Sequence, residues 1–464
     1  MSDDRLDHER PVVIVSNRGP VSFRLDDEGR AQPHRGAGGL VSGLAPLVRD
    51  TDTLWLAAAI TDGDRVAAEA GATVAEGFRV RLLSFDPDTW QAHYDHVCNE
   101  ALWFVHHGLF DPVYDPAWPP GWVDAAWAAH RRVNATFAQA IIDDAPADAA
   151  VLVQDYHLCL LAQQVRSARP DLRLVHFSHT PFAPPAWLRM LPEAVRGELI
   201  EGLAAFHACG FHTGRWEHDF RDSCGASGVV APATFVAPLG PDADDLEATL
   251  GSAACVAADL ELAETVGDLT FLVRVDRIEL SKNVLRGFDA FAVLLEAEPH
   301  WQGRVVFGAY LYPSRAGVEA YDRYAEVVVA RVAEINARFG TDSWTPIVYE
   351  PRDDYPRSIA ALARADVVVV NPIRDGLNLV AKEAMVINRR HGQLVLSPEA
   401  GAWEELGDAA WRADPFDVGA TATALSGALG ASDVDRKTRA DALRDASLAR
   451  TPADWLADQL AAAE

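Results

Sequence analysis

The sequence is poor in the features that mark several protein classes. Its 464 residues contain five cysteines, Cys98, Cys159, Cys209, Cys224 and Cys255, scattered and without a CxxC pair. An odd, dispersed set fits free thiols in a reducing cytoplasm and argues against a disulfide framework or a zinc site. No apolar run approaches the roughly 20 residues that cross a bilayer. The opening MSDDRLDHERP is acidic and polar, so a secretory signal is not expected. GxSxG, the Walker A pattern and GxGxxG are all absent. A serine hydrolase, a P-loop NTPase and a dinucleotide enzyme therefore lack their signatures. Positive charge is scarce too: 41 Lys and Arg stand against 68 Asp and Glu, a formal net charge of −27. That balance disfavours nucleic acid and anionic membrane as partners. A phosphorylated substrate would need a local cationic cluster to overcome the overall field.

Hydrophobic residues make up 49% of the chain, enough for sizeable cores. Its length points to two domains. Short, continuously apolar runs read as parallel strands covered on both faces. They lie at 11–17, 150–157, 172–179, 271–277, 304–310, 346–351, 366–372 and 393–398. Between them, LRGFDAFAVLLEAEP and VEAYDRYAEVVVARVAEINARFG carry apolar residues at helical spacing. Repeated strand–helix alternation predicts an α/β protein with two doubly wound, Rossmann-like domains facing across a cleft. The expected domains are 1–238 and 239–445. The final 446–464 segment is expected to form a helix that crosses back to the first domain. No internal repeat is evident.

Ligands of open α/β sheets bind beyond the carboxyl ends of the strands, so the residues there matter most. After ADVVVV comes PIRDGLNLVAKEAM. Gly376 permits a tight turn, and the amides of Leu377, Asn378 and Leu379 are expected at a helix start, where anions bind. Glu383, two turns in, suits a ribose diol. VRVDRIELSKN places Arg277 and Lys282 at another strand end, a pair suited to a diphosphate. RGAGGLVSGLAPLV (35–48) reads as a second anion turn, and SNRGP puts Arg18 at the end of the first strand. VQDYHL offers Asp155 and His157; HFSHTPF offers His176 and His179. These two histidines lack the i, i+4 spacing of zinc ligands, and the acidic pairs at 86–88 and 242–244 lie in loops. No metal is expected at any of these places.

Together and in this order, SNRGP, GAGGL, YDHVCNEALW, QDYHL, HTPF, RIELSK, YPSR and RDGLNLVAKE resemble the trehalose-6-phosphate synthases, glycosyltransferase family 20, from about residue 11 to about 415. The resemblance implies the GT-B fold and a metal-independent, retaining hexosyltransferase with no cofactor. It implies a nucleotide sugar, UDP- or GDP-glucose, as donor and glucose 6-phosphate as acceptor, giving α,α-trehalose 6-phosphate. By that resemblance Arg277 and Lys282 contact the donor diphosphate and Asp375 the donor sugar, with the 377–379 amides nearby. Glu383 holds the ribose, Gly39 approaches the diphosphate and His179 bonds the donor sugar. Arg18, Tyr94, Trp103 and Arg315 match the acceptor-phosphate clamp, and Asp155 orients the acceptor. It leaves a homo-oligomer open.

One stretch departs from the family. Where it carries a pattern near W-x-G-W-S-G, this chain reads LWLAAAITDG (54–63). Trp55 is kept, and alanine replaces the second Trp near Ala58. A second reading therefore keeps the donor and changes the phosphorylated acceptor, as in glucosylglycerol-phosphate synthases or pseudo-glycosyltransferases acting on an aminocyclitol phosphate. A third is a catalytically silent sugar-phosphate sensor.

Overall fold

The computed structural model describes residues 10–35, 39–315 and 317–464. The chain divides into two compact units. One runs to Leu239 and takes in Pro452–Glu464; the other is Gly240–Thr451.

Among the described residues the first unit holds ten strands: β1 (Val12–Val15), β2 (Val21–Leu25), β3 (Ala31–Arg35), β4 (Leu54–Ala58), β5 (Thr73–Ala75), β6 (Phe78–Leu83), β7 (Ala150–Gln154), β8 (Arg173–Ser178), β9 (Ala208–Phe211) and β10 (Ala233–Val236). β2 and β3 form a separate hairpin, and the rest make one sheet in the order β10-β9-β8-β7-β1-β4-β6-β5. Every pairing in that sheet is parallel except β5 with β6. The second unit adds β11 (Thr270–Ile278), β12 (Val305–Pro313), β13 (Ile347–Glu350), β14 (Val367–Val370), β15 (Gln393–Leu396) and β16 (Trp411–Arg412). These pair in the order β13-β12-β11-β14-β15-β16, parallel throughout. That is the doubly wound 3-2-1-4-5-6 order. Strand order reverses at β1 beside β7 in the first sheet and at β11 beside β14 in the second.

The sequence explains the layers. Val367–Val370 is buried at every residue, as are β1 beyond Val12, β7 and β15. Helices cover both faces, so these strands need no polar side. Burying each such valine contributes about 1.5–3 kcal/mol. The helices Val284–Ala297 and Glu319–Phe339 form where the apolar spacing predicts them. Side-chain caps fix others: Thr213 accepts from Trp216 N, and Thr61 with Asp64 makes a reciprocal capping box. Among the described residues, no helix is long and apolar enough to cross a membrane.

β9 has no sequence signature. Its four residues, ACGF, work because Gly210 lets two rings close over the strand. A Cβ there would lie 2.3 Å from Phe235 Cζ and 2.5 Å from Phe177 Cδ2. Gly210→Ala should therefore destabilise the first unit by about 1–3 kcal/mol. Its unfolding midpoint in urea checks this, and an unchanged midpoint would show that the rings have room to move.

Candidate functional site

The second reversal gathers charge. β11 is nine residues long, and its side chains alternate faces. Arg274 is fully buried. Its Nε donates to Asp276 Oδ2 at 2.9 Å and its Nη1 to Asn371 Oδ1 at 2.8 Å; a further N–H reaches the Lys282 carbonyl. Past the strand, Arg277 Nη1 pairs with Glu279 Oε1 at 2.7 Å. Arg315, which follows β12, lies 3.5 Å from the same oxygen and donates to Tyr321 Oη at 2.5 Å. Lys282 Nζ sits 2.6 Å from Asp375 Oδ2, beyond β14, and 3.8 Å from Asp276 Oδ1. The strand ends thus bring together Arg277, Lys282 and Asp375, as well as Arg315.

Counted over the described residues named here, four cations and three carboxylates leave one net positive charge. Burial alone would raise the Glu279 pKa, yet Arg277, Arg315 and Lys282, with the Ser314 hydroxyl, outweigh it and hold it at about 2. Asp276 goes the other way: burial lifts it, and Arg274 and Lys282 only partly offset that. Burial works against charge on Lys282, but Asp375, Asp276 and Glu279 carry its pKa above the usual value. Arg277, with 41% of its side chain exposed, is the cation of the four that reaches furthest into solvent. An anion would meet it first.

The DGLN turn differs in detail from the expectation. Asn378, at φ +70°, caps the helix Leu379–Ile387 by accepting from Ala381 N at 3.2 Å. The Leu377 amide, expected to face a ligand, donates to Asp375 Oδ1 at 3.4 Å, and Asn378 Nδ2 reaches Asp375 Oδ2 at 3.1 Å. Asp375 therefore organises the turn and holds Lys282 as well. Gly401 serves a close approach to this turn: a Cβ there would fall 2.0 Å from the Gly376 carbonyl oxygen. Glu383 follows within the helix, its pKa pushed up to about 7 by burial and then by Asp245.

In the first unit, Ser16 closes the end of β1. Its hydroxyl accepts from Trp55 Nε1 at 2.7 Å and donates to the Arg18 carbonyl at 2.6 Å. Trp55 is thereby a core residue. Arg18 Nη2 lies 3.3 Å from Tyr94 Oη. The Tyr94 ring stacks between Trp90 (5.4 Å) and His157 (6.1 Å), and Tyr156 continues the row to Trp103. Arg18, Tyr94 and Trp103 thus belong to one connected set, whereas Arg315 lies in the second unit against Glu279. Gly39 opens the helix Gly39–Val48, and residues 36–38 of the expected anion turn lie outside the described residues.

Asp155 leaves β7 at φ +68°, and its Oδ1 accepts from the amides of His179 (3.2 Å) and Thr180 (3.3 Å). Both nitrogens of the His179 ring are engaged within the protein. Hydrogen-bond direction sets the tautomers. Leu239 N donates to His212 Nδ1 (3.4 Å), so His212 carries its proton on Nε2 and donates to His179 Nδ1 (3.3 Å). His179 Nε2–H then donates to Gln154 Oε1 (3.0 Å), and Gln154 Nε2 donates to Gln459 Oε1 (2.9 Å). Burial, with His212 and His176 adding to it, keeps His179 neutral. Trp455 packs edge-on against His179 at 5.4 Å. The helix Pro452–Ala461 thereby supports the site from behind.

Sequence reasoning missed Glu279, Asp276, Gln154 and Gln459. The alternating charges of VRVDRIE were a legible signal for the first two. Gln459 had none, since its partner lies 305 residues away.

Comparison with known proteins identifies the family and the fold. The family model described as Glycosyltransferase family 20 matches residues 10–464. The chain is 30% identical over 469 residues to the bifunctional trehalose-6-phosphate synthase/phosphatase of Thermoproteus tenax, covering 96% of this chain and 62% of that relative. It is 31% identical over 424 residues to the UDP-forming alpha,alpha-trehalose-phosphate synthase of Schizosaccharomyces pombe, covering 86% and 80%. The crystal structure of a UDP-forming alpha,alpha-trehalose-phosphate synthase from Burkholderia vietnamiensis matches with a TM-score of 0.83 at 26% identity, over 97% of this chain and 100% of that one. The Burkholderia xenovorans enzyme in complex with glucose-6-phosphate matches at 0.82 and 26%, over 97% and 99%. The α/β fold, with its two Rossmann-like sheets, is GT-B.

Two outcomes follow from the site itself. A carboxyl whose folded pKa lies above its unfolded value binds more protons when folded, so its contribution to stability falls as pH rises from 4.5 to about 7. Glu383→Gln should therefore raise the melting temperature above pH 7 and leave it nearly unchanged at pH 4.5; equal shifts at both would refute the raised pKa. Gln459→Leu strands the Gln154 amide and should cost about 1–3 kcal/mol. Denaturant unfolding measures it, and a loss under 0.3 kcal/mol would mean the relay contributes nothing.

Proposed function

The chain belongs to glycosyltransferase family 20, and from that premise we propose that it transfers glucose from a nucleotide sugar to glucose 6-phosphate, with retention, giving α,α-trehalose 6-phosphate. The observation that carries this reading is the cation group at the reversal of the second sheet, set beside the start of the helix Leu379–Ile387. Such a place suits a diphosphate. The S. pombe and Burkholderia relatives are named UDP-forming, which supports UDP-glucose over GDP-glucose as donor.

In this reading Arg277 and Lys282 bind the diphosphate and stabilise the charge that grows on it as it leaves. Asp375 directs the Lys282 ammonium and meets donor hydroxyls. Glu383 accepts from the ribose diol, and the family resemblance assigns Gly39 to the diphosphate. Arg18 and Tyr94 take the acceptor phosphate, supported by the ring row to Trp103. Arg315 keeps Glu279 charged and so holds Arg277 in place; the family's role for it at the acceptor phosphate stands beside this one. Asp155 orients the acceptor sugar, and the His179 relay fixes the turn that holds Asp155.

The acceptor hydroxyl oxygen bonds to the anomeric carbon as the bond from that carbon to the diphosphate oxygen breaks on the same face. A leaving phosphate oxygen takes the hydroxyl proton. Orientation and charge stabilisation supply the catalysis, with no protein nucleophile and no metal in the scheme.

A second acceptor is favoured by one observation. Ala57, Ala58 and Ala59 are buried at the end of β4, beside the β1 end that carries Arg18, with no aromatic among them. Glycerol 3-phosphate or an aminocyclitol phosphate would then replace glucose 6-phosphate. UDP- and GDP-glucose assayed against each acceptor, with the product identified, separate these readings. Tight binding of sugar phosphate without any product would point to the sensor. Arg277→Ala should lower turnover about 10²–10³-fold; activity within threefold of the parent would remove Arg277 from the chemistry.

A further inference from the structure

We propose that His157 is a positioning residue that fixes the spacing between the phosphate end of the acceptor site, at Arg18 and Tyr94, and its sugar end, at Asp155, and so makes the site selective for acceptor length. The inference deepens the proposed reaction and rests on that reading. His157 is the strand-end histidine of QDYHL, to which that reaction gives no part.

Hydrogen bonding alone holds Tyr94 loosely. Its Oη accepts from Arg18 Nη2 at 3.3 Å, past the usual range of such a bond. Its ring is set by its neighbours instead. Trp90, four residues earlier, lies 5.4 Å away with the planes 11° apart, and His157 lies 6.1 Å away with the planes 16° apart. Both fit stacked rings. Trp90 stands just before Ala92–Leu102, the segment that carries Tyr94 and is wound as a π-helix, so the two move together. His157 belongs elsewhere. It sits in the 3₁₀ turn Tyr156–Leu158, two residues past Asp155. Its imidazole therefore joins the element that takes the phosphate to the one that aims the carboxylate.

The turn is itself anchored. Asn134, buried on the helix Ala128–Asp144, donates from Nδ2 to the His157 carbonyl at 3.3 Å and accepts from Leu160 N at 2.9 Å. Tyr156 Oη donates to Asn99 Oδ1 at 3.4 Å, a second tie to the π-wound segment. A ring that only filled the core would be enclosed, whereas His157 and Tyr94 are both half-buried and Arg18 is exposed. A frame of this kind holds its two ends at one spacing. An acceptor whose phosphate and hydroxyl are separated differently then forfeits the contacts of one end.

The test compares the full chain with His157→Phe, which keeps a flat ring, and with His157→Ala and His157→Leu, which do not. If the alanine variant fails to fold, the leucine variant carries the comparison. Each is assayed with UDP-glucose against glucose 6-phosphate and the shorter glycerol 3-phosphate. Loss of the ring should raise the acceptor KM about three- to tenfold, with kcat and the UDP-glucose KM nearly unchanged. It should also bring the kcat/KM values of the two acceptors closer together. His157→Phe should keep the parent's values. An unchanged acceptor KM in both ringless variants overturns the proposal. So does an equal loss in His157→Phe, or a fall in kcat and melting temperature with both KM values rising, which marks a merely structural residue. If the parent turns over neither acceptor, the proposed reaction fails, and calorimetric affinity for glucose 6-phosphate decides the role of His157 by the same ratios. A parent that binds no glucose 6-phosphate overturns that role as well.

Discussion

Cations gather at the reversal of the second sheet because buried carboxylates hold them there. Two like charges 4 Å apart repel by about 4 kcal/mol at the effective dielectric of a protein surface. Arg274, Arg277, Lys282 and Arg315 would scatter without Asp276, Glu279 and Asp375 between them. β11 and the residues just past it supply both signs by strand alternation: Arg274 and Asp276 share one face, while Arg277 and Glu279 continue on the other. Glu279 is the central member. It stays ionised deep in the protein only because three cations surround it, and two of them are positioned by it in turn. Such an arrangement is weak evidence for stability, since burying charge is costly. Its value is geometric: Arg277 is presented at the strand end on a fixed support, in a chain whose overall charge is −27.

The first unit solves a similar positioning problem without charge. From Leu239 to Gln459, each donor in the relay through His212, His179 and Gln154 points the same way, so each group fixes the tautomer or rotamer of the next. Its two ends are the last residue before the chain enters the second unit and a helix that forms only after it returns. Asp155, beside the relay, has a positive φ that costs of order 1–3 kcal/mol in a non-glycine residue. Two amide hydrogen bonds and the Phe177 carbonyl, which accepts from its own N–H, hold it there. The carboxylate is thereby aimed before any ligand arrives.

What could be read from the sequence follows the range of the interactions. The buried parallel strands announced themselves as unbroken apolar runs, and the two long helices of the second unit by their spacing. That Arg18, Asp155, Arg277 and Asp375 stand at or just past strand ends was legible from the apolar runs before them. β6 was harder, since Arg79 and Arg81 break its apolar run, and β9 depends on Gly210 receiving two rings from other strands. The π-helical winding of Ala92–Leu102 carries no pattern in its residues. Arg315 was assigned through its motif alone, and only the register of β12 beside β11 shows why it meets Glu279. Contacts such as Gln154 with Gln459 exist only once the chain has folded back on itself.

The choice between the two basic residue types completes the physical picture. The chain has three lysines, Lys282, Lys382 and Lys437, and otherwise uses arginine. Two of the three are mostly or wholly buried in ion pairs on either side of the DGLN turn: Lys282 with Asp375, and Lys382 with both oxygens of Glu405 at 2.9 Å. A guanidinium presents a broad planar fork, whereas an ammonium is a compact point charge with three donors. Between Asp375 and Asp276 there is a place for one small cation, and the Lys282 chain reaches it from the end of a short 3₁₀ turn. At Lys382 burial lowers the pKa and Glu405 opposes the shift. Arginine serves where a side chain must span several partners, as Arg274 does. Lysine serves where one charge must fit beside a carboxylate that has other work, and Asp375, which also shapes the turn, is such a carboxylate.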